Sequence, residues 1–194
     1  MGYNAGQNLR TFLAFGLPSG VTRRVAAIQR DLAARGLKMK WIRPENVHLT
    51  IKFLGNVPVA ELEKVAQAAS DITARSAPMS LRLQGLGVFP GIKRPNVLWT
   101  GLTGDNRSLI EFHDRLEEAL AGAGFEKDRR AFKAHLTIAR IKSAVDPRRL
   151  AEAMEECGQF PETELPARQL ILYKSELRPS GAVYTVLQQF PLSG

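Results

Sequence analysis

The tetrapeptide HLTI occurs twice in this chain, as His48–Ile51 and as His135–Ile138, and the two copies start 135 − 48 = 87 residues apart. The whole sequence contains only 3 histidines, and two of them begin these identical stretches. With ordinary composition, three matching residues after a histidine are roughly a one-in-a-thousand coincidence. Either the chain is internally duplicated, or one reaction requires the same element twice.

The hydrophobic periodicity around the two stretches favours duplication. An opening strand in RTFLAFGLP is followed by a helix, a strand carrying HLTI, a second helix and two more strands, and the order helix, HLTI strand, helix, strand, strand then occurs again. We therefore predict an α+β fold in which residues 1–194 form a single bilobal domain, with motif strands near residues 48–54 and 135–141. Each lobe is expected to be an antiparallel sheet backed by helices. The two sheets should be pseudo-symmetric and enclose a central cleft, with His48 and His135 facing each other across it.

Composition restricts the class of protein. A chain of 194 residues with 44% hydrophobic content can bury a sizeable core without disulfides or metals. The single cysteine, Cys157, cannot form an intramolecular disulfide, which fits a reducing compartment. No stretch is long and apolar enough to span a membrane, and the N-terminus lacks a secretory signal. We expect a soluble, cytoplasmic, monomeric protein.

The charge balance indicates a polyanionic partner. The formal net charge is +8 and the pI is near 10.0, and a clustered positive field concentrates ligands that carry phosphate. Basic residues surround both motifs: Lys38, Lys40, Arg43 and Lys52 near the first, and Lys127, Arg129, Arg130, Lys133, Arg140 and Lys142 near the second. A merely solvated basic face is the alternative explanation.

The motif contains side chains that are suited to catalysis. Because side chains alternate along a strand, His48 and Thr50 share one face, and the equivalent residues of the second motif do the same. Two such strands present two imidazoles and two hydroxyls to the cleft. This set suits a phosphodiester: one neutral imidazole accepts a proton from the nucleophile, one imidazolium protonates the leaving oxygen, and the hydroxyls hold the phosphoryl oxygens.

The sequence fits other kinds of site less well. A single strand histidine is usually a partly buried structural residue, but two in identical contexts argue for function. HxT offers no second metal ligand at helical spacing, and carboxylates are sparse nearby, so we predict neither a metal nor a cofactor. GLGVFPG breaks a dinucleotide fingerprint at Pro90, and neither a P-loop nor a GxSxG motif is present. The third histidine, His113, lies beside Leu109 and Leu116 on a predicted helix, where a partly buried or surface role is expected.

Several blocks of the chain resemble one known family in their order: RTFLAFGLP, WIRPENVHLTIKFLGNV, PNVLWTGL, FKAHLTIARIK and ELRPSGAVYTVLQQFPL. They are similar to the 2H phosphoesterase superfamily, and within it to the RNA 2′,3′-cyclic phosphodiesterases, also called 2′-5′ RNA ligases. The resemblance implies an enzyme without metal or ATP that opens a terminal 2′,3′-cyclic phosphate on RNA to leave a 2′-phosphate. Some members also join or cleave 2′-5′ linkages.

The resemblance also implies roles for individual residues. His48 is expected to be the proton donor to the departing 3′ oxygen and His135 the proton acceptor that activates water, although the two motifs read identically and their symmetry permits either assignment. Thr50 and Thr137 are expected to bind the phosphate.

Two more residues, Phe53 and Arg140, stand five positions beyond the histidines and match the family there. Phe53 is expected to stack on the terminal base and Arg140 to pair with phosphate. An odd offset places them on the opposite face of a regular strand from the histidine, so each strand must end, twist or bulge first. Core packing for Phe53 and a surface salt bridge for Arg140 are the alternatives.

Two other functions stay open at this point. One is an RNA-binding module that uses the basic cleft without turnover. The other is a phosphodiesterase acting on small cyclic nucleotides or 2′-5′ oligonucleotides, which requires the same catalytic set. The expected partner is RNA with 2′,3′-cyclic phosphate ends, and no membrane association is expected.

Overall fold

The structure, a computed structural model, describes residue 4, residues 6–179 and residues 181–194. The α-helices of this part of the chain are α1 (Ser19–Ala34), α2 (Leu62–Thr73), α3 (Asn106–Gly122) and α4 (Pro147–Cys157). Its strands are β1 (Asn8–Phe15), β2 (Lys40–Trp41), β3 (Leu49–Pro58), β4 (Met79–Phe89), β5 (Val97–Gly104), β6 (His135–Arg140), β7 (Glu164–Ala167), β8 (Gln169–Arg178) and β9 (Gly181–Pro191). Short 3₁₀ helices at Pro44–Asn46 and Val59–Glu61 precede β3 and α2.

The strands form one antiparallel sheet that narrows at its centre. Their order is β7-β4-β5-β6-β3-β1-β8-β9, and the two-residue β2 pairs with β6. The two motif strands, β3 and β6, meet at a single residue pair, Leu49 with Leu136. The sheet therefore consists of two lobes of four strands each that are joined at this pair, and β2 adds a short fifth strand to the lobe of β6. The predicted α+β fold with two antiparallel lobes is confirmed, and the lobes are parts of one continuous sheet.

The lobes do not correspond to the two halves of the chain. Strands β4 and β5 precede the second motif and pair into its lobe, whereas β8 and β9, at the C-terminal end, join β1 in the lobe of the first motif. The spacing of the repeat is nevertheless regular, since α1 begins at Ser19 and α3 at Asn106, 106 − 19 = 87 residues later. Each lobe thus contains strands from both halves, an exchange that only long-range pairing can reveal.

The helices cover one face of the sheet and leave the other free. Helices α1 and α4 pack together beside β4 and β7, and α2 and α3 pack together against β3, β8 and β9. The stripe predicted for α1, Val21, Val25, Ile28 and Leu32, is fully buried. Between the helices and the sheet, the rings of Phe15 and Phe112 lie 5.6 Å apart. The histidines project from the opposite, uncovered face.

Strand β7 was not anticipated from the sequence. Its residues, ELPA, lie in a proline-rich stretch that gives no alternation of apolar and polar side chains. It forms the outer edge of the sheet, pairing only with β4 among the described strands, and an edge is where a proline such as Pro166 is tolerated. None of the described helices is long and apolar enough to cross a membrane.

Candidate active site

The pair Leu49–Leu136 places the two motifs side by side. Both leucines are fully buried and face the helices, so the residues on either side of them face the cleft. Continuing the antiparallel register by one residue in each direction sets His48 opposite Thr137 and Thr50 opposite His135. Directly opposite Cα atoms lie roughly 4.5–5.5 Å apart. Two imidazoles and two hydroxyls therefore converge on one small area of the sheet.

Both imidazoles are held by the same backbone contact. The Nδ1 atom of His48 lies 2.8 Å from the carbonyl oxygen of Asn46, and Nδ1 of His135 lies 2.6 Å from that of Lys133, in each case two residues upstream. A carbonyl oxygen can only accept a hydrogen bond, so Nδ1 carries the proton in each neutral ring. The Nε2 atom of each neutral ring is then the nitrogen without a proton.

Aromatic side chains enclose His48. Its ring stacks on Phe12 at 4.6 Å between centroids, meets Tyr184 edge-on at 5.2 Å, and lies 6.4 Å from Tyr173. Burial lowers the pKa of His48, and the hydrogen bond to the Asn46 carbonyl raises it in part. Burial also raises the pKa of Tyr184, an effect partly offset by the nearby positive charges of Arg10 and Arg140.

His135 has a comparable but more open aromatic wall. Its ring meets Phe89 edge-on at 5.0 Å and lies 6.3 Å from Trp99. Trp99 crosses directly over Gly87, where a Cβ atom would stand 2.1 Å from the indole ring. The glycine is therefore needed to leave room for the indole. Lys133 adds a positive charge 5.8 Å from the Phe89 ring centroid.

A bulge in each motif strand places Phe53 and Arg140 near the cleft. In the pairing of β1 with β3 the register skips Ile51, and in the pairing of β5 with β6 it skips the equivalent Ile138. The extra residue reverses the alternation of faces, as the odd offset from each histidine requires.

The surroundings of these two residues argue against the alternatives for them. Phe53 is 57% exposed and its ring lies 5.9 Å from that of Phe12, beneath His48, so it is not a core residue. Arg140 is exposed, and no ion pair among the described residues includes it. Both side chains are accessible beside the motif residues.

Lys52 does not belong to the basic surface to which the sequence assigned it. Its side chain is 3% exposed, and its Nζ lies 2.8 Å from Glu117 Oε1 and 3.5 Å from Asp128 Oδ1. Nζ also donates to the backbone carbonyl of Glu126 at 2.7 Å. The bulge at Ile51 turns Lys52 toward α3, where it fastens the segment before β6 to the first motif strand.

The third histidine and the single cysteine have contacts of their own. His113 is 7% exposed, stacks on Phe132 at 4.2 Å, and lies 3.0 Å from Asp114, which agrees with a structural role. Cys157 is half-buried against the core, and burial raises the pKa of its thiol. Within residues 6–179 and 181–194, no group of three or more His, Cys, Asp or Glu side chains is placed to hold a metal ion.

Comparison with known families shows to which family this chain belongs. The family described as LigT like Phosphoesterase matches residues 15–99 and 103–184, and each matched segment contains one HLTI motif. The chain belongs to the LigT-like phosphoesterase family. The resemblance inferred from the motif blocks is therefore confirmed.

Relatives of this LigT-like phosphoesterase match over almost their whole length. A Methanocaldococcus jannaschii protein named RNA 2′,3′-cyclic phosphodiesterase is 31% identical, covering 94% of this chain and 100% of its own. An Aquifex aeolicus protein of the same name is 30% identical, covering 96% and 98%. A crystal structure of a Thermus thermophilus protein aligns with a TM-score of 0.77 at 28% identity, covering 95% of this chain and 98% of that one.

The aromatic walls of this LigT-like phosphoesterase were missed in the sequence. Phe12, Tyr173 and Tyr184 lie on β1, β8 and β9, and Phe89 and Trp99 on β4 and β5. Alternation would have assigned each to one face of its strand, but that face meets a histidine only because of the order of the strands in the sheet. The sequence shows the aromatic residues within each strand, but it does not show the order of the strands in the sheet.

Proposed function

We propose that this LigT-like phosphoesterase hydrolyses the 2′,3′-cyclic phosphate at the end of an RNA and leaves a 2′-phosphate. The names of its relatives support this substrate. The observation that carries the proposal is the register of Leu49 with Leu136, which sets each histidine opposite the threonine of the other motif. A phosphoryl group between the strands would meet two hydroxyl donors and two imidazole Nε2 atoms.

The proposed reaction is a single displacement at phosphorus. Nε2 of His135 takes a proton from water as the water oxygen bonds to phosphorus. The bond from phosphorus to the 3′ oxygen breaks, and Nε2 of His48 protonates that oxygen. The products are a 3′ hydroxyl and a 2′-phosphate, and one proton has moved from His48 to substrate and one from water to His135. Proton transfer by positioned groups of this kind contributes roughly 10²–10⁴ each to the rate.

The remaining motif residues bind substrate in this proposal. Thr50 and Thr137 donate to the phosphoryl oxygens, and Arg140 pairs with phosphate charge. Phe53, exposed beside the aromatic group around His48, stacks on the terminal base. Neither a metal ion nor a cofactor takes part.

The same site would join RNA ends if a 5′ hydroxyl replaced water. His135 would take the proton of the 5′ hydroxyl as its oxygen bonds to phosphorus, the bond from phosphorus to the 3′ oxygen would break with a proton from His48 going to that oxygen, and the product would be a 2′-5′ linkage. We propose this ligation, and its reversal, as a second activity of the site. The monomeric state and the cytoplasmic location stay predictions.

The test is incubation of the protein with an RNA oligonucleotide ending in a 2′,3′-cyclic phosphate. We expect the product to gain one water and phosphorus NMR to place the phosphate on the 2′ oxygen. A 3′-phosphate product would reverse the assignment of the leaving group. Tight RNA binding without any product would favour the non-catalytic binding module, and turnover of cyclic mononucleotides but not of RNA would favour the small-nucleotide enzyme.

A further inference from the structure

The aromatic wall beside His135, formed by Phe89 and Trp99, has no part in the proposed hydrolysis. The two rings lie 5.0 Å apart, and the Phe89 ring also lies 5.0 Å from that of His135. Trp99 is directly opposite Thr137, and residues opposite each other in an antiparallel pair project to the same face. Gly87 is opposite Trp99, and Phe89 follows it two residues later on that face. Both aromatic side chains are only half-buried, so part of the wall is accessible at the site itself.

The repeat makes Trp99 the counterpart of a buried residue in the other lobe. Trp99 follows Phe12 by 99 − 12 = 87 residues, which is also the spacing of the two motifs. Phe12 is 2% exposed and lies beneath the ring of His48, so Phe53 is the most exposed aromatic side chain beside the first motif. The counterpart of Phe53 in the second motif is Arg140, which is not aromatic. Each lobe thus has one accessible aromatic surface beside its own histidine, and the second is the wall of His135.

A lysine adds positive charge to this wall. Lys133 Nζ lies 5.8 Å from the centroid of the Phe89 ring, and the backbone carbonyl of Lys133 lies next to Nδ1 of His135. The lysine side chain is exposed and takes part in no salt bridge among the described residues. Aromatic rings that stack on bases, together with cations that meet the backbone, are the usual means of holding single-stranded nucleic acid.

The geometry of the reaction places a second nucleoside on the side of His135. The attacking and leaving oxygens of a displacement at phosphorus lie roughly in line, on opposite sides of the phosphorus atom. In the proposed reaction the leaving 3′ oxygen lies at His48 and the attacking oxygen at His135. When the attacking oxygen is a 5′ hydroxyl, the nucleoside that carries it extends beyond His135, across the second lobe.

We propose that Trp99 and Phe89 bind the nucleoside whose 5′ hydroxyl attacks in 2′-5′ ligation, with Lys133 on the phosphate that follows this nucleoside. This inference rests on the proposed function and names a site for its second substrate, an RNA with a 5′-hydroxyl end. His135 takes the proton of the 5′ hydroxyl as its oxygen bonds to phosphorus, and the bond to the 3′ oxygen breaks with a proton from His48. In the reverse reaction the same wall holds the nucleoside whose 5′ oxygen leaves from a 2′-5′ linkage.

The first test compares cleavage of an RNA that contains one 2′-5′ linkage with hydrolysis of an RNA that ends in a 2′,3′-cyclic phosphate. Only the first substrate places a nucleoside against the wall. In Phe89→Leu, we expect KM for the 2′-5′ RNA to rise about ten times as much as KM for the cyclic phosphate RNA, within the range for loss of one stacked base.

A lysine variant tests the same site without disturbing the rings. Lys133→Ala should lower the salt dependence of binding to the 2′-5′ RNA by about 0.7 in slope, because one phosphate contact is lost. The side chain is exposed, so this variant remains informative if Phe89→Leu is unstable in thermal unfolding. The matched control is Lys64→Ala, which removes an exposed lysine from α2, behind the sheet, and should change neither KM nor the salt dependence.

The second test requires no turnover. The chain has 2 tryptophans, so Trp41→Phe leaves Trp99 as the one indole that reports binding. The dinucleotide adenylyl-3′,5′-adenosine, which has a 5′ hydroxyl, should quench this fluorescence by stacking on Trp99. Phe89→Leu in the same background should weaken its binding about tenfold. Phe53→Ala should weaken it much less, because Phe53 belongs to the other lobe.

Equal rises in KM for both RNAs in Phe89→Leu would show that the wall only positions His135, and would overturn this inference while leaving the proposed hydrolysis intact. Hydrolysis of the cyclic phosphate without any cleavage of the 2′-5′ RNA would overturn it as well, as would the absence of quenching by millimolar dinucleotide. Wild-type protein that turns over neither RNA would instead overturn the proposed function, and the fluorescence titration would still test the wall.

Discussion

Leu49 of β3 pairs with Leu136 of β6, and this is the only pairing between the two motif strands among the described residues. Both side chains are fully buried and hold the two lobes against one core. The approximate two-fold relation between the repeats passes through this pair. Continuing this register sets each histidine next to the threonine of the other motif, so the phosphate site that we propose takes side chains from both motifs.

Substitution of the motif histidines tests the acid and base pair. On RNA with a cyclic phosphate end, His48→Ala and His135→Ala should each lower kcat by about 10²–10⁴. The double variant should be little slower than either single one, because partners in one step act as a unit. Binding to RNA should fall much less, since threonine, lysine and arginine supply most phosphate contacts.

The third histidine provides the matched control. His113→Asn removes an imidazole of α3 that belongs to neither motif and stacks on Phe132, and its kcat should stay near that of the wild type. Near-normal rates in both motif variants would exclude a catalytic role for the two histidines.

The pH dependence of turnover should show the buried environment of His48. Burial lowers the pKa of this imidazole in the free protein, and kcat/KM reports the free enzyme. If His48 must be protonated, kcat/KM should fall with rising pH at a value below the ordinary histidine pKa of about 6.5. Bound phosphate favours the imidazolium, so the corresponding fall in kcat should occur at higher pH. Coincident profiles for kcat and kcat/KM would contradict this account.

The Lys52–Glu117 pair should be required for stability. Lys52→Met leaves a nearly buried carboxylate without its cation, which should cost about 3–5 kcal/mol in the free energy of unfolding. Glu117→Leu added to Lys52→Met should recover much of that loss, since apolar residues replace buried ion pairs well. The control is Lys64→Met, whose pair with Glu61 is exposed and should contribute at most about 1 kcal/mol. Equal losses in Lys52→Met and Lys64→Met, measured by urea unfolding, would contradict the importance of the buried pair.

Phe53 should contribute to substrate binding and not to folding. Its side chain is 57% exposed, so Phe53→Ala should leave the melting temperature nearly unchanged. Loss of base stacking should weaken RNA binding by about 1–3 kcal/mol, whereas Phe53→Trp should retain binding. A large drop in melting temperature with unchanged KM would restore the core-packing interpretation.

Turnover should survive exhaustive chelation. The described residues hold no cluster of three or more metal-ligating side chains, and the proposed steps need only the two imidazoles. Activity measured after dialysis against EDTA should equal that of untreated protein. Loss with EDTA and recovery with one divalent ion would contradict the two-histidine mechanism.

The sequence alone determined the elements that depend on neighbouring residues. The stripe of α1 and the alternation in HLTI follow from local geometry, so helix positions and the cleft-facing pairs His48–Thr50 and His135–Thr137 were predictable. The need for a bulge before Phe53 and Arg140 was also predictable, because an odd offset cannot otherwise reach the same face.

Tertiary structure decided everything that depends on which strands meet. The exchange of β4 and β8 between the lobes, the aromatic wall of Phe12 and Tyr184, and the pairing of β2 with β6 all join residues far apart in sequence. Lys52 shows most clearly what the sequence cannot predict. In the sequence it is one more positive charge beside a motif. In the structure the bulge at Ile51 turns its side chain into the core toward Glu117. Periodicity indicates on which face of its own strand a side chain lies. Pairing between strands that are distant in sequence decides which residues lie next to that face.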